Sequence, residues 1–160
     1  MSSEFIVAQK PIINYSKQIG WNYKKRIELE KLRNLNDEEI FNFLLEDELK
    51  KKIKLFNPEL EDPNQIIDEL KNIPGGIEGN KLFLDYLKNN RNYFSTKHNR
   101  EYNLKLIDYE KNENNSFIVS DEFYAKNYSH AIRQDIVFII NGMPIIDVET
   151  KNAVKEDAIE

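Results

Sequence analysis

The sequence predicts an α+β domain of the α/β-sandwich type, in which helices flank a mixed central sheet. Before residue 90, apolar residues recur at helical spacing in several segments. From Tyr93 onward, they alternate or cluster in the short runs typical of strands. Two apolar runs flank Asn141-Gly142, a pair that strongly favours a β-hairpin. Helices followed by a cluster of strands are typical of this fold class.

The length of 160 residues suits one domain. We therefore expect residues 1–160 to form a single domain, with residues 24–90 as a helical insertion within it. Nine Phe and eight Tyr can fill a core, and the 40% hydrophobic content is that of a folded chain. The net charge of −5 argues mildly against gripping nucleic acid through the overall field, although the distribution of charge matters more than its sum.

The cellular setting can also be predicted. Cysteine is absent, so the chain has neither disulfides nor thiolate metal ligands, and the reducing cytoplasm is the expected location. No apolar run reaches 18 residues, so no membrane span is expected. The N-terminal stretch MSSEFIVAQK lacks a basic region followed by an apolar core, which excludes a typical secretion signal.

Proline and glycine divide the helical part of the sequence. The first predicted helix has Pro11 in its first turn and ends before Gly20, and its apolar face is formed by Ile12, Ile13, Ser16 and Ile19. Residues 24–35 suit either a helix or the start of a strand. Two further helices are then predicted, one from Asn36 through Ile53 that closes at Asn57-Pro58, and one opened by Asp62-Pro63.

The last predicted helix before the strands covers residues 80–89, and a strand-rich region follows it. Strand material is expected around residues 104–107, 116–119 and 123–124, with a polar turn over 110–115. The hairpin comes next, and residues 153–160 have the composition of a new helix. We therefore expect the domain to be truncated at its C-terminal end.

The ends of the predicted hairpin carry charges that buried strands rarely hold. Asp135 begins one apolar run, and Glu149 and Lys151 follow the other. Buried charges are costly unless they are paired or bind a metal. Two carboxylates on adjacent strands, with the Thr150 carbonyl as a third ligand, make an oxygen site that suits Mg²⁺. Lys151 lies on the Glu149 side of the strand, where an ammonium can orient a water or stabilise a phosphate.

The length of the hairpin loop decides whether this site exists. In a two-residue loop Ile140 pairs with Met143, and Asp135 then lies opposite Val148, on the wrong face. A three-residue loop pairs Ile140 with Pro144 and brings Asp135 opposite Glu149. The hypothesis therefore requires an odd loop over residues 141–143 or an equivalent β-bulge.

Other polar residues near the predicted site have more than one interpretation. Asp147 shares the Glu149 face and either assists the site or reaches a polar partner; we favour the partner. His130 could contact phosphate or simply occupy a loop, and Glu4 could be an accessory acid or belong to a core-packing helix. His98 and His130 lack the spacing of a metal site. The simplest alternative for the whole constellation is an edge hairpin with a surface salt bridge.

The stretch RQDIVFIINGMPIIDVETKN resembles the N-terminal nuclease domain of the R subunit of type I restriction enzymes, which belongs to the PD-(D/E)xK nuclease superfamily. LKLIDYEKNENNSFIVSDEF resembles the segment that precedes the site in that family. PIINYSKQIGW is similar to the family's first helix. The resemblance implies a restriction-endonuclease-like core.

The resemblance also implies roles for individual residues. It makes Asp135 and Glu149 metal ligands and Lys151 the catalytic lysine. Gln134 stands where the family usually has proline, and Asp147 and Thr150 stand where apolar residues are common. The family's Gln and Tyr motif on the following helix would fall beyond Glu160.

The resemblance implies a Mg²⁺-dependent endonuclease domain that hydrolyses DNA phosphodiesters non-specifically, in defence against foreign DNA. The partners it implies are DNA and the specificity and methylation subunits of a type I restriction complex, reached through the full-length subunit. ATP would be used only by a helicase motor that this chain does not include. The alternative is a non-catalytic module of the same fold that docks partners or holds DNA.

Overall fold

A computed structural model describes residues 8–33, 42–126 and 131–150. The residues Glu4, Asn36, Glu39, His130 and Lys151 and the predicted helix over 153–160 lie outside these ranges. The order of elements is α1 (Lys10–Gln18), β1 (Asn22–Lys24), α2 (Arg26–Leu32), α3 (Glu46–Phe56), α4 (Pro63–Lys71), α5 (Ile77–Leu87), β2 (Arg91–Ser95), β3 (Arg100–Leu104), a 3-10 turn (Asn112–Asn114), β4 (Phe117–Lys126), β5 (Ala131–Ile140) and β6 (Met143–Val148).

The chain divides into two compact units. The first comprises the described parts of Met1–Leu44 and Phe117–Glu160, and the second is Leu45–Ser116. The second unit contains α3, α4 and α5 together with a two-stranded sheet. The helical insertion expected over residues 24–90 stays a prediction about domain organisation.

The first unit contains a four-stranded mixed sheet in the order β1-β4-β5-β6. β1 runs parallel to β4, and the other two pairings are antiparallel. Ile13 of α1 packs on Val119 and Ile136 of the sheet, and Trp21 makes edge contacts with Phe117 and Phe138. This arrangement of helices on a mixed sheet confirms the predicted α+β class.

The first helix has the predicted ends, but one residue of its face is different. Pro11 lies in the first turn, and Gly20 takes the positive φ of +100° that ends the helix. Ile13 and Ser16 are buried as predicted. The prediction for Ile19 is wrong, because Ile19 caps α1 with non-helical backbone angles and is 58% exposed.

One cation of the first unit is buried. Arg33 is 2% exposed, donates from Nε and Nη1 to the carbonyls of Asn42 and Tyr124 at 2.7 Å, and lies over the Phe123 ring. Burial lowers the pKa of Arg33 to about 10, which leaves it protonated at neutral pH. Arg33 therefore joins the end of α2 to β4 through charge-assisted hydrogen bonds.

In the second unit, α3 begins later than the sequence predicted. The helix starts at Glu46, and residues 42–45 are not helical. Asn42 Oδ1 accepts a hydrogen bond from the Leu44 amide at 3.1 Å, and such local side-chain bonds compete with a helix. The predicted end at Asn57 is confirmed.

The α4 prediction is confirmed in detail. Asp62 caps the helix by accepting a hydrogen bond from the Asn64 amide at 2.9 Å, and Pro63 follows in the first turn. α5 begins three residues earlier than predicted, at Ile77, because Gly76 with a φ of +86° allows the chain to enter the helix there.

Two asparagines join the helices of the second unit to the segment after β3. Asn57, which is 2% exposed, accepts from the Lys105 amide at 2.8 Å and donates to the Lys105 carbonyl. Asn89 accepts from the Leu106 amide at 2.9 Å and donates to the Ile107 carbonyl.

Within the ranges that the structure describes, no helix is long and apolar enough to cross a membrane.

Candidate active site

The hairpin between β5 and β6 has a tight two-residue turn. Ile140 pairs with Met143, and Asn141 and Gly142 both have positive φ angles, of +52° and +86°. Two consecutive positive φ values are the signature of a type I′ turn, which the Asn-Gly pair favours. The odd loop length predicted over residues 141–143 is therefore wrong.

The alternative stated with that prediction, an equivalent bulge, is present two residues further along. Ile139 pairs with Pro144, but Phe138 pairs with Ile146, so Ile145 is an extra residue in β6. From there the register continues through Val137 opposite Asp147 to Ile136 opposite Val148. Continued by one step, it places Asp135 opposite Glu149. The bulge thus gives the same register that the odd loop would have given.

Hydrogen bonds show that the two strand ends do meet. Asp135 Oδ2 accepts a hydrogen bond from the Thr150 amide at 2.7 Å and a second from Thr150 Oγ1, also at 2.7 Å. Asp135 and Thr150 are half-buried, and Glu149 is exposed. The predicted Asp135 and Thr150 are therefore in direct contact, and Glu149 adjoins them in sequence and in register. Lys151 lies outside the described residues.

A residue that sequence reasoning missed supports Thr150. Gln9, just before α1 and only 7% exposed, donates from Nε2 to Thr150 Oγ1 at 3.2 Å. The three side chains form a chain of hydrogen bonds from Gln9 through Thr150 to Asp135. A contact between residues 141 positions apart leaves no signal in a single sequence, and Gln9 lies beside the helix pattern rather than within it.

The neighbouring acid on β4 was also missed. The pairings of β4 with β5 place Glu122 in the gap opposite Asp135, between the Asp121–Ile136 and Phe123–Gln134 pairs. Glu122 has a φ of +51°, and its carboxylate contacts Arg133 and lies 3.7 Å from Arg26. These two arginines neutralise Glu122, so it differs from Asp135 in its charge environment.

Asp147 has the polar partner considered for it from the sequence. Its Oδ2 accepts a hydrogen bond from Gln134 Nε2 at 2.8 Å, and the residue is exposed. The same Gln134 replaces the proline that the resemblance led us to expect. Asp147 therefore offers a natural control for substitutions of Glu149, since both lie on the same short segment.

The donor set at the end of the hairpin fits a magnesium ion. Among residues 8–33, 42–126 and 131–150, no three His, Asp or Glu side chains gather into a metal cluster. The protein ligands available are then the Asp135 and Glu149 carboxylates and the Thr150 carbonyl. Magnesium is typically held by one or two carboxylates and keeps several waters, so this oxygen set suits it.

Fold and hairpin together define a mixed α+β domain in which Asp135, at the end of the β5–β6 hairpin, is hydrogen-bonded to Thr150, the residue after Glu149. The family model described as the N terminus of the type I restriction enzyme R protein matches residues 1–160, so the chain belongs to that family. It is also 29% identical over 162 residues to a Methanocaldococcus jannaschii protein named as a type I restriction enzyme MjaIXP endonuclease subunit. That alignment covers 94% of the chain and 15% of the relative's length.

Proposed function

We propose that this R-subunit N-terminal domain is a Mg²⁺-dependent endonuclease that hydrolyses DNA phosphodiesters without reading sequence. The observation that carries the proposal is the bulge at Ile145, which sets Asp135 in register with Glu149 and lets Thr150 donate to Asp135. Charged side chains on an ordinary surface hairpin do not require a register that brings Asp135 opposite Glu149. The Methanocaldococcus jannaschii relative is named as an endonuclease subunit, which supports the same activity.

Each residue of the site has a role in this proposal. Asp135, Glu149 and the Thr150 carbonyl would hold the ion, and Gln9 and Thr150 fix the orientation of the Asp135 carboxylate. When bound, Mg²⁺ neutralises phosphate charge and makes a bound water more acidic. We assign to Lys151 the orientation of the attacking water or the stabilisation of charge that develops on the phosphate.

We also propose that the larger subunit acts within a type I restriction complex. The specificity and methylation subunits would supply DNA recognition, and a motor elsewhere in the subunit would use ATP. The relative is far longer than the matched region, which leaves room for such a motor. The domain itself then needs only to cut, which is consistent with a small site at the end of one hairpin.

A titration with Mn²⁺ tests the metal site in the 160-residue chain. Glu149→Gln removes a ligand charge while keeping the side-chain size, so we expect Mn²⁺ affinity to fall at least about tenfold, as for loss of a direct charged ligand. Asp147→Asn is the matched control, because it neutralises a carboxylate two residues away on the same strand and keeps an acceptor for Gln134. Calorimetry or electron paramagnetic resonance of free Mn²⁺ measures both variants.

The same titration decides against the second candidate function, a non-catalytic module that docks partners or holds DNA. That alternative has one observation in its favour, since Thr150 already occupies Asp135 Oδ2 with two hydrogen bonds. If wild type binds no Mn²⁺ in the millimolar range, or if Glu149→Gln and Asp147→Asn bind it equally well, the docking function is supported and the endonuclease proposal is wrong.

A further inference from the structure

The second unit contains a strongly basic β-hairpin in an acidic protein. We call residues 88–105 the basic ribbon. They comprise β2, β3, the turn between the two strands and the flanking residues 88–90 and 105. Within the ribbon, Glu101 is the one acidic side chain, and there are five cations: Lys88, Arg91, Lys97, Arg100 and Lys105. The ribbon therefore contributes +4 to a chain of net charge −5, and the rest of the chain carries −9.

These five cations are exposed and available to an outside partner. In the part of the chain that the structure describes, none of them forms an ion pair, although Lys71 and Lys81 of the same unit do so. Unpaired cations clustered on a surface create a local positive potential, even when the overall charge of the protein is negative. Such a surface favours a polyanion as its ligand.

The two arginines mark the two ends of the ribbon. Arg91 opens β2 opposite Leu104, and Arg100 opens β3 opposite Ser95 at the turn. Four residue steps at about 3.3 Å each separate these positions, or about 13 Å. The major groove of DNA is about 12 Å wide and admits a two-stranded β-ribbon. The two cations are therefore separated, along the ribbon, by a distance comparable to the width of the groove.

Aromatic rings hold both arginines. The Arg100 guanidinium lies 4.4 Å from the centroid of the Tyr102 ring, and that of Arg91 lies 5.2 Å from the Tyr86 ring. Stacking on a ring reduces the conformational freedom of an arginine and leaves its N–H groups able to donate in the plane of the guanidinium. Phosphate oxygens are suitable acceptors for such donors.

The turn of the ribbon is anchored rather than loose. Glu61 accepts hydrogen bonds from the Lys97 amide at 2.9 Å and from Ser95 Oγ at 2.8 Å, and these bonds lower the pKa of Glu61 to about 2. Glu59 lies 3.0 Å from His98 at the same turn. Both carboxylates are held at the turn, and the side chains of Lys97 and Arg100 remain exposed there.

The side of the ribbon away from its buried residues presents polar groups around one aromatic ring. Asn92, Glu101 and Asn103 are exposed, and Phe94 is 53% exposed among them. Strand alternation places these four on the face opposite the buried Tyr93 and Ser95. By the same alternation, Arg91 and Arg100 lie on the face of Tyr93 and Ser95, so Phe94 and its polar neighbours form a separate surface from the two arginines.

We propose that the basic ribbon is a duplex-DNA-binding element of this domain, with Arg91 and Arg100 on the phosphates of the two strands. The inference rests on the proposed function in that DNA is the substrate. It adds a second surface, on the other compact unit, which holds the duplex through its backbone and without base-specific contacts.

Fluorescence anisotropy with a labelled 30-base-pair duplex tests the ribbon, using the 160-residue chain in EDTA at several salt concentrations. The double variant Arg91→Gln/Arg100→Gln is expected to bind the duplex about tenfold more weakly. It should also reduce the magnitude of the slope of log K against log salt by about 1.8, because each phosphate contact contributes about 0.9. The matched control is Lys51→Gln with Lys54→Gln, which removes the same charge from exposed positions of α3 in the same unit. We expect the control to retain wild-type affinity within about twofold.

A gain-of-affinity variant protects the test against misfolding. Glu101→Gln removes the acid from the ribbon, and we expect it to bind the duplex several-fold more tightly than wild type, which no unfolded protein would do. The ribbon proposal is wrong if the chain does not bind the duplex at 0.05 M salt. It is also wrong if the double arginine variant and the double lysine variant weaken binding equally. Because EDTA removes divalent metal, duplex binding in this assay does not depend on an occupied metal site, so failure of the ribbon and failure of the metal site give separate results.

Discussion

Replacing Asp135 with asparagine is expected to reduce DNA cleavage by the assembled restriction complex at least about 10²-fold, the scale for losing one group that stabilises charge in a transition state. Asparagine keeps an oxygen that accepts hydrogen bonds from the amide and hydroxyl of Thr150, so the hairpin end should remain folded. What is lost is the negative charge that would hold the metal. The measurement is the conversion of supercoiled plasmid to linear product in the presence of ATP and Mg²⁺.

The control for this experiment is Asp147→Asn, which removes a carboxylate from the opposing strand but retains a partner for Gln134. We expect cleavage by this control to stay within about threefold of wild type, as for exposed substitutions away from a site. ATP hydrolysis should survive in both variants, because we assign it to another part of the subunit. Cleavage by Asp135→Asn at the wild-type rate would contradict the assignment of Asp135.

Changing the length of β6 by one residue is expected to affect DNA cleavage as strongly as Asp135→Asn does. Whether the metal site is lost or retained depends on where in the strand the change is made. Inserting one alanine between Val148 and Glu149 leaves every pairing of the strands from Ile140 to Ile136 intact. It moves Glu149 and Thr150 one step past Asp135, and a one-residue shift also reverses the face on which each side chain lies. We expect Mn²⁺ binding and DNA cleavage to be lost.

Deleting Ile145 provides the opposite case. Without this extra residue, a regular two-residue hairpin pairs Phe138 with Ile146 and brings Asp135 opposite Glu149, as the bulge does now. We therefore expect the deletion to retain the metal site, although Ile145 is half-buried and some stability will be lost. If the insertion keeps Mn²⁺ binding, or if the deletion abolishes it in a folded protein, register does not build the site.

Much of this fold follows from local sequence signals. Gly20, Asp62-Pro63 and Asn141-Gly142 each determine the backbone through the conformational preferences of their own residue types, and the structure confirms all three. The class of fold follows because a long succession of helical patterns precedes the strands. These features need only short-range information, which a single sequence contains.

The rest depended on contacts between distant residues. A bulge at Ile145 is set by how β6 packs along β5. The one local signal is the preceding Pro144, and a proline within a strand is compatible with an edge strand as well as with a bulge. The positive φ of Glu122 and the position of Gln9 beside Thr150 are likewise fixed by the assembled sheet. The sequence could therefore predict the chemistry of Asp135 and Glu149, and it could state which registers would allow the site. It could not decide whether a three-residue loop or a β-bulge produces the register.

The most direct measurement is the position of bound Mn²⁺, located by anomalous scattering from crystals of the 160-residue chain soaked in the ion. We predict one strong peak at about 2.0–2.2 Å, a normal distance for oxygen ligands of small divalent ions, from carboxylate oxygens of both Asp135 and Glu149 and from the Thr150 carbonyl. The peak should disappear in Asp135→Asn. A peak bound elsewhere, or the absence of a peak at an Mn²⁺ concentration that supports cleavage, would contradict the assignment of the hairpin as the metal site.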